Sequence, residues 1–137
     1  MKKNDYIVIG MSNFGRNIAQ ELNSMGKNVT VIDKNEEIFD IMDEFSGFMI
    51  KGDATDTTLL ESNGIKNARM VVVTTNDDNT NIFLAHLCEK VYHVPEIFCR
   101  IADTEKNVLL DDKIKIINPF NLCMDYFNKK ISNENND

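Results

Sequence analysis

The chain has 137 residues, 42% of them hydrophobic, and its 15 Lys+Arg against 22 Asp+Glu leave a formal charge of −7. A chain of this length buries roughly two-thirds of its unfolded surface, enough for one soluble core but not for a separate substrate domain, so a large two-domain enzyme is excluded. The acidic balance and the lack of any basic run or basic helix argue against nucleic-acid binding, and no apolar run approaches the ~20 residues that cross a bilayer, so direct membrane insertion is not expected.

Met1-Lys2-Lys3-Asn4-Asp5 runs straight into a strand-like segment rather than a signal-peptide core, so a cytoplasmic location is expected. Tyr6–Ile9 is the first of six short, β-branched runs without polar alternation, the pattern of strands buried on both faces of a parallel sheet. The others are Val29–Ile32, Phe48–Ile50, Met70–Val73, Glu96–Ile101 and Lys115–Ile117. Helical spacing fills the intervals. Phe14, Ile18, Leu22 and Met25 form an apolar stripe closed by Gly26, and Asn35 caps a second stripe of Ile38, Ile41, Met42 and Phe45. Thr58 with Glu61 predicts a capping box for a short helix ending near Asn63-Gly64. Asp78 opens a longer helix carrying Ile82, Phe83, Ala85, Leu87 and Val91, which stops before Pro95. Asp103 caps a brief helix through Leu110, and Asn118-Pro119 starts a last one with Leu122, Tyr126 and Phe127 on its apolar face. This alternation predicts an α/β fold: a Rossmann-like open, parallel, six-stranded sheet with helices on both faces. The folded domain spans residues 1–131, and the polar segment 132–137 is expected to be a disordered tail.

Ligands of such sheets bind beyond the carboxyl ends of the strands. After the first strand comes Gly10-Met11-Ser12-Asn13-Phe14-Gly15, a GxSxxG variant of the dinucleotide loop. Gly10 permits the turn, Gly15 allows close helix packing, and the helix start offers amides to a diphosphate, with the Ser12 hydroxyl as a further donor. Asp33 ends the second strand about twenty residues on, where a carboxylate accepts ribose hydroxyls and repels a 2′-phosphate; Lys34 lies beside it. Gly52-Asp53-Ala54-Thr55 follows the third strand, with Asp53 facing an adenine amino group. Thr74-Thr75-Asn76-Asp77-Asp78-Asn79 follows the fourth, near the phosphates or second ribose, and Arg100 in the fifth supplies a cation.

These segments, with Ile117-Asn118-Pro119, resemble the N-terminal nucleotide-binding domain of the Trk and Ktr potassium-uptake regulators, the RCK or KTN (TrkA-N) domain, over nearly the whole chain. The resemblance implies a cytosolic regulatory subunit that binds NAD(H) or an adenine nucleotide (ATP, ADP or AMP). It further implies a homodimer, extended in some assemblies, and gating of a potassium channel or transporter at the inner face of the membrane. Two departures stand out. The family usually reads GxGRxG, where this chain has Ser12 and Asn13, with Arg16 a partial substitute. Among these 137 residues no counterpart is expected of the C-terminal ligand-binding domain that many members carry.

Other motifs read as structural. His86 and His93 lack acidic or cysteine partners at ligand spacing, and Cys88, Cys99 and Cys123 lack CxxC pairing, so neither a metal site nor a disulfide is indicated and buried thiols are expected. The methionines at 25, 42, 49, 70 and 124 fall on expected core faces. Asp77 and Asp78 are loop and cap charges beside the pocket. Tyr126 and Lys130 match the YxxxK pattern of short-chain dehydrogenases, so a small NAD-dependent oxidoreductase is one alternative, and an oligomerisation module with a vestigial pocket is another. No catalytic residue is assigned.

Overall fold

The computed structural model describes residues 3–135. Six strands, β1 (Asp5–Ile9), β2 (Asn28–Asp33), β3 (Phe48–Lys51), β4 (Ala68–Val73), β5 (Glu96–Arg100) and β6 (Ile114–Ile117), form one sheet in the order β3-β2-β1-β4-β5-β6. Every pairing is parallel. The expected Rossmann-like architecture is present, with four helices: α1 (Asn13–Ser24), α2 (Thr57–Ser62), α3 (Asp78–Lys90) and α4 (Pro119–Asn135).

Strand alternation sorts the core into two layers. Ile7 and Ile9 of β1 pack with Val71 and Val73 of β4 against Leu60, Leu84, Ala85 and Cys88 from α2 and α3. Tyr6 and Val8 point the other way and pack with Val29, Val31 and Val72 against Ala19 of α1 and Met42. Full burial of a side chain such as Leu60 or Leu84 contributes about 1.5–3 kcal/mol, so these two layers fix the sheet register. The chain winds outward from β1 to β3, returns to β4 beside β1, and winds the other way to β6. That reversal opens a crevice at the carboxyl ends of β1 and β4.

Several local expectations change. The second stripe folds as a 3₁₀ segment, Glu36–Ile41, capped by Asn35 as expected, but only Met42 beyond it is buried and Ile41 is exposed. No capping box forms at α2. Asp56 accepts from the Thr58 amide at 2.9 Å, and Glu61 pairs with Lys66 at 3.1 Å instead. Asp56 takes the N-cap position, which leaves Thr58 inside the first turn, where its hydroxyl is no longer placed to cap the helix. Asp77, not Asp78, caps α3, and Phe83 and Val91 are exposed. Met25, Met49 and Met124 lie on the surface rather than in the core, because they sit at a helix C-cap, on edge strand β3 and on α4. Residues 132–135 continue α4 where a disordered tail is expected, and residues 136–137 lie outside the described residues.

The thiols divide as their surroundings dictate. Burial pushes both the Cys88 and the Cys99 thiols up to about 12, whereas Cys123 on α4 is exposed, contrary to the expectation of a third buried thiol. In native protein a thiol-specific chromogenic reagent should modify Cys123 alone, with Cys88 and Cys99 reacting only after unfolding; fast labelling of all three would contradict this core. Because the folded pKa values lie above the unfolded ones, these thiols favour the folded state below about pH 9, and that contribution is lost as pH rises toward 12.

Candidate functional site

The β1–α1 loop is pressed against the end of β4. Gly10 has φ +90°, and a Cβ there would lie 2.6 Å from Thr75 N and 2.7 Å from the Thr74 carbonyl. A Cβ on Gly15 would strike the Gly10 carbonyl oxygen and come within 2.7 Å of Thr74 Cγ2. Both glycines are therefore required by contact, and Gly10 by its backbone conformation as well. Ser12 is the N-cap of α1: its Oγ accepts from Gly15 N at 3.2 Å and donates to Thr74 O at 3.1 Å. The hydroxyl expected to serve a phosphate instead ties the loop to β4, since its one proton is committed to Thr74. The amides of Asn13 and Phe14, in the first turn of α1, have no acceptor among the described residues. They present the positive end of the helix to the crevice.

Asp33 faces the same space. Its Oδ2 accepts from Met11 N and its Oδ1 from Asn35 N, both at 2.7 Å, so the carboxylate is fixed in direction while each oxygen keeps further acceptor capacity. At β3, Gly52 N donates to Asp33 O at 3.0 Å. Asp53 accepts from the Thr55 hydroxyl at 2.7 Å and the Thr55 amide at 2.9 Å, with Lys34 at 3.6 Å. These bonds, the Thr55 hydroxyl foremost, hold the Asp53 carboxyl below its ordinary value. The Thr80 hydroxyl at 2.6 Å and the Thr80 amide at 3.1 Å do the same for Asp77.

Together these groups border a cleft of about 710 Å³. Of the residues expected from sequence, Gly10, Met11, Ser12, Asn13, Asp33, Lys34, Gly52, Asp53, Ala54, Thr75 and Asn76 line it. Phe14, Gly15, Thr55, Thr74, Asn79 and Arg100 do not. Thr74 is buried beneath the loop, Thr55 holds Asp53, and Asn79 accepts from Lys106 at 3.1 Å. Arg100 stops at Asn76 Oδ1, 3.5 Å away. Arg16 and Asp77 also line the cleft, as do Asn35 and Thr80 and the apolar Ile9, Ile32, Ile38 and Leu84. The apolar members carry no sequence signal, because they occupy positions that read as core.

Residues 6–119 match the TrkA-N domain. The chain belongs to the TrkA-N family. It is 36% identical over 109 residues to a Trk system potassium uptake protein TrkA homolog of Pyrococcus horikoshii, a match covering 78% of this chain and 48% of that protein. The chain thus spans about half the length of the curated relatives it matches. Among solved structures, GsuK bound to ADP superposes with TM-score 0.68 at 27% identity, covering 84% of this chain and 31% of that one. The GsuK channel bound to NAD gives TM-score 0.68 at 27% identity, covering 85% of this chain and 21% of that one. This TrkA-N domain therefore shares its fold with part of GsuK, whose structures hold ADP or NAD.

Replacing Ser12 by Ala removes the cap of α1 and the tie to Thr74, and should lower the stability measured by urea unfolding by about 1 kcal/mol. An unchanged midpoint and slope would show that the loop is held by other means.

Proposed function

We propose that this TrkA-N domain is a nucleotide-sensing regulatory unit without catalytic chemistry, which binds NAD(H) or an adenine nucleotide (ATP, ADP or AMP) in the cleft. In this reading it works at the cytoplasmic face of the membrane, as a homodimer or an assembly of dimers, on a potassium channel or transporter subunit. The observation that carries the reading is that the start of α1, whose Asn13 and Phe14 amides are free and whose Asn13 lines the cleft, borders the same cleft as the oriented Asp33 carboxylate. A diphosphate takes the amides, and ribose hydroxyls donate to the remaining lone pairs of Asp33. The ADP and NAD in GsuK and the potassium-uptake role of the curated relatives support it.

The dimer rests on α4. Phe120, Leu122, Tyr126 and Phe127 are each more than half exposed on this helix. An isolated helix gains little from propensity alone, so such a face is stabilised by a partner, here a second copy. Nucleotide exchange then biases the relative arrangement of the two copies by no more than its difference in affinity for them, typically ~1–3 kcal/mol.

The oxidoreductase alternative would place its YxxxK pair away from the cleft. Tyr126 and Lys130 lie on α4, outside the cleft lining, with the Lys130 ammonium 5.4 Å above the Tyr126 ring. Calorimetry with NAD, NADH, ATP, ADP and AMP should show at least one binding below millimolar concentration, and Asp33→Ala should weaken it by about 1.5–3 kcal/mol. No binding by any of the five, or unchanged affinity in the variant, would sink the reading. Sedimentation should show a dimer that dissociates when Leu122 and Phe127 are changed to Asp; a monomeric wild-type chain would refute the α4 interface.

A further inference from the structure

The sheet ends openly at β3. That strand is bonded to β2 alone, so the backbone groups along its outer side meet no strand among the described residues. Folded chains cover or blunt such an edge, because it templates the pairing of another strand. This edge instead carries exposed apolar side chains. Phe48 is 74% exposed and Met49 41%, and Ile41, on the 3₁₀ segment packed against the strand, is 55% exposed. The turn into β3 is firmly held. Glu44 has φ +62°, uncommon for a residue other than glycine, and Asn23 donates to its carbonyl at 3.3 Å while accepting from Ser46 Oγ at 2.9 Å. No Cβ fits at Gly47, where it would strike Val29 O. An edge fixed in this way receives a partner strand at little ordering cost.

Charge selects the occupant. Glu36, Glu37, Asp40, Asp43 and Glu44 are all exposed on the segment leading into β3. Among the described residues only Glu36 of these has a paired cation, Lys51 at 3.6 Å. A second copy at this edge would bring like charges together, which opposes pairing, whereas a basic strand is attracted. Successive residues of β3 point to opposite faces of the sheet: Phe48 with Ile50 toward the α2 layer, Met49 with Lys51 toward the 3₁₀ segment and its carboxylates. A strand that alternates apolar and basic residues matches both faces at once. Its apolar side chains cover Phe48, its cations meet the carboxylates, and its backbone continues the ladder.

We propose that the open edge of β3 is a docking surface for an extended segment of a partner protein in which Lys or Arg alternates with apolar residues. The identity of that partner rests on the function proposed above, under which it is the membrane subunit, since cytoplasmic loops of membrane proteins carry an excess of Lys and Arg. The test is calorimetry and amide NMR of the full chain with two decapeptides of equal charge. One alternates Lys with Val; the other alternates Lys with Pro, which breaks a ladder and holds the peptide near polyproline II. The Lys-Val peptide should bind roughly tenfold or more tightly than the Lys-Pro peptide and shift the amide signals of β3. Phe48→Glu, and separately Asp40→Lys with Asp43→Lys, should each weaken it by roughly tenfold or more, with thermal melting to verify folding. Equal affinity for the two peptides, signals that shift elsewhere than at β3, or unchanged affinity in either variant overturns the proposal. Titration with ADP in parallel separates the two readings. Peptide bound at β3 without any ADP binding upholds the edge and removes the nucleotide cleft; ADP binding without peptide binding does the reverse.

Discussion

The site depends on the closure of the β1–α1 loop onto the end of β4. The loop passes so near Thr74 and Thr75 that no side chain fits at Gly10 or Gly15, and Ser12 fastens it by capping α1 and donating to Thr74 O. That contact sets the direction in which the first turn of α1 points its amides. Asp33 closes the same loop from the other side through Met11 N, so two neighbouring strand ends fix one short segment. A site held this way is organised before any ligand arrives, which limits the ordering cost of binding.

The electrostatics follow from that frame. Asp33, Asp53 and Asp77 place three carboxylates around the cleft, so phosphate is favoured only where the helix amides and Arg16 offset them. The acidic side suits a sugar and a base, which present hydrogen-bond donors. The cleft thus has an internal polarity that orients an asymmetric ligand. Substituting Ser12 for the middle glycine of the family pattern adds a hydrogen-bonded tether at the point where a bridging diphosphate would otherwise approach the backbone most closely.

The fold was legible because unbroken β-branched runs separated by capped helical segments admit few arrangements, and strand identity followed directly. The glycine loop, Asp33 and the Gly52–Ala54 segment were legible because turns and strand ends place them without help from tertiary contacts. Arg100 was misplaced for a physical reason: lateness in a strand gives height along the sheet but not which residues close over it, and Asn76 does so with the bonds from Asn81 to Arg100 O and from Ala102 N to Asp78. The role of Ser12 was hidden because Thr74 lies 62 residues away in sequence. The exposure of α4 was hidden too, since an apolar helix face looks the same whether it covers its own sheet or another chain.

The most direct measurement is a crystal structure of the chain grown with saturating ADP. The account predicts phosphate oxygens against the Asn13 and Phe14 amides with the ribose hydroxyls on Asp33. An empty cleft, or a nucleotide reversed so that its phosphates lie toward Asp53, would contradict it.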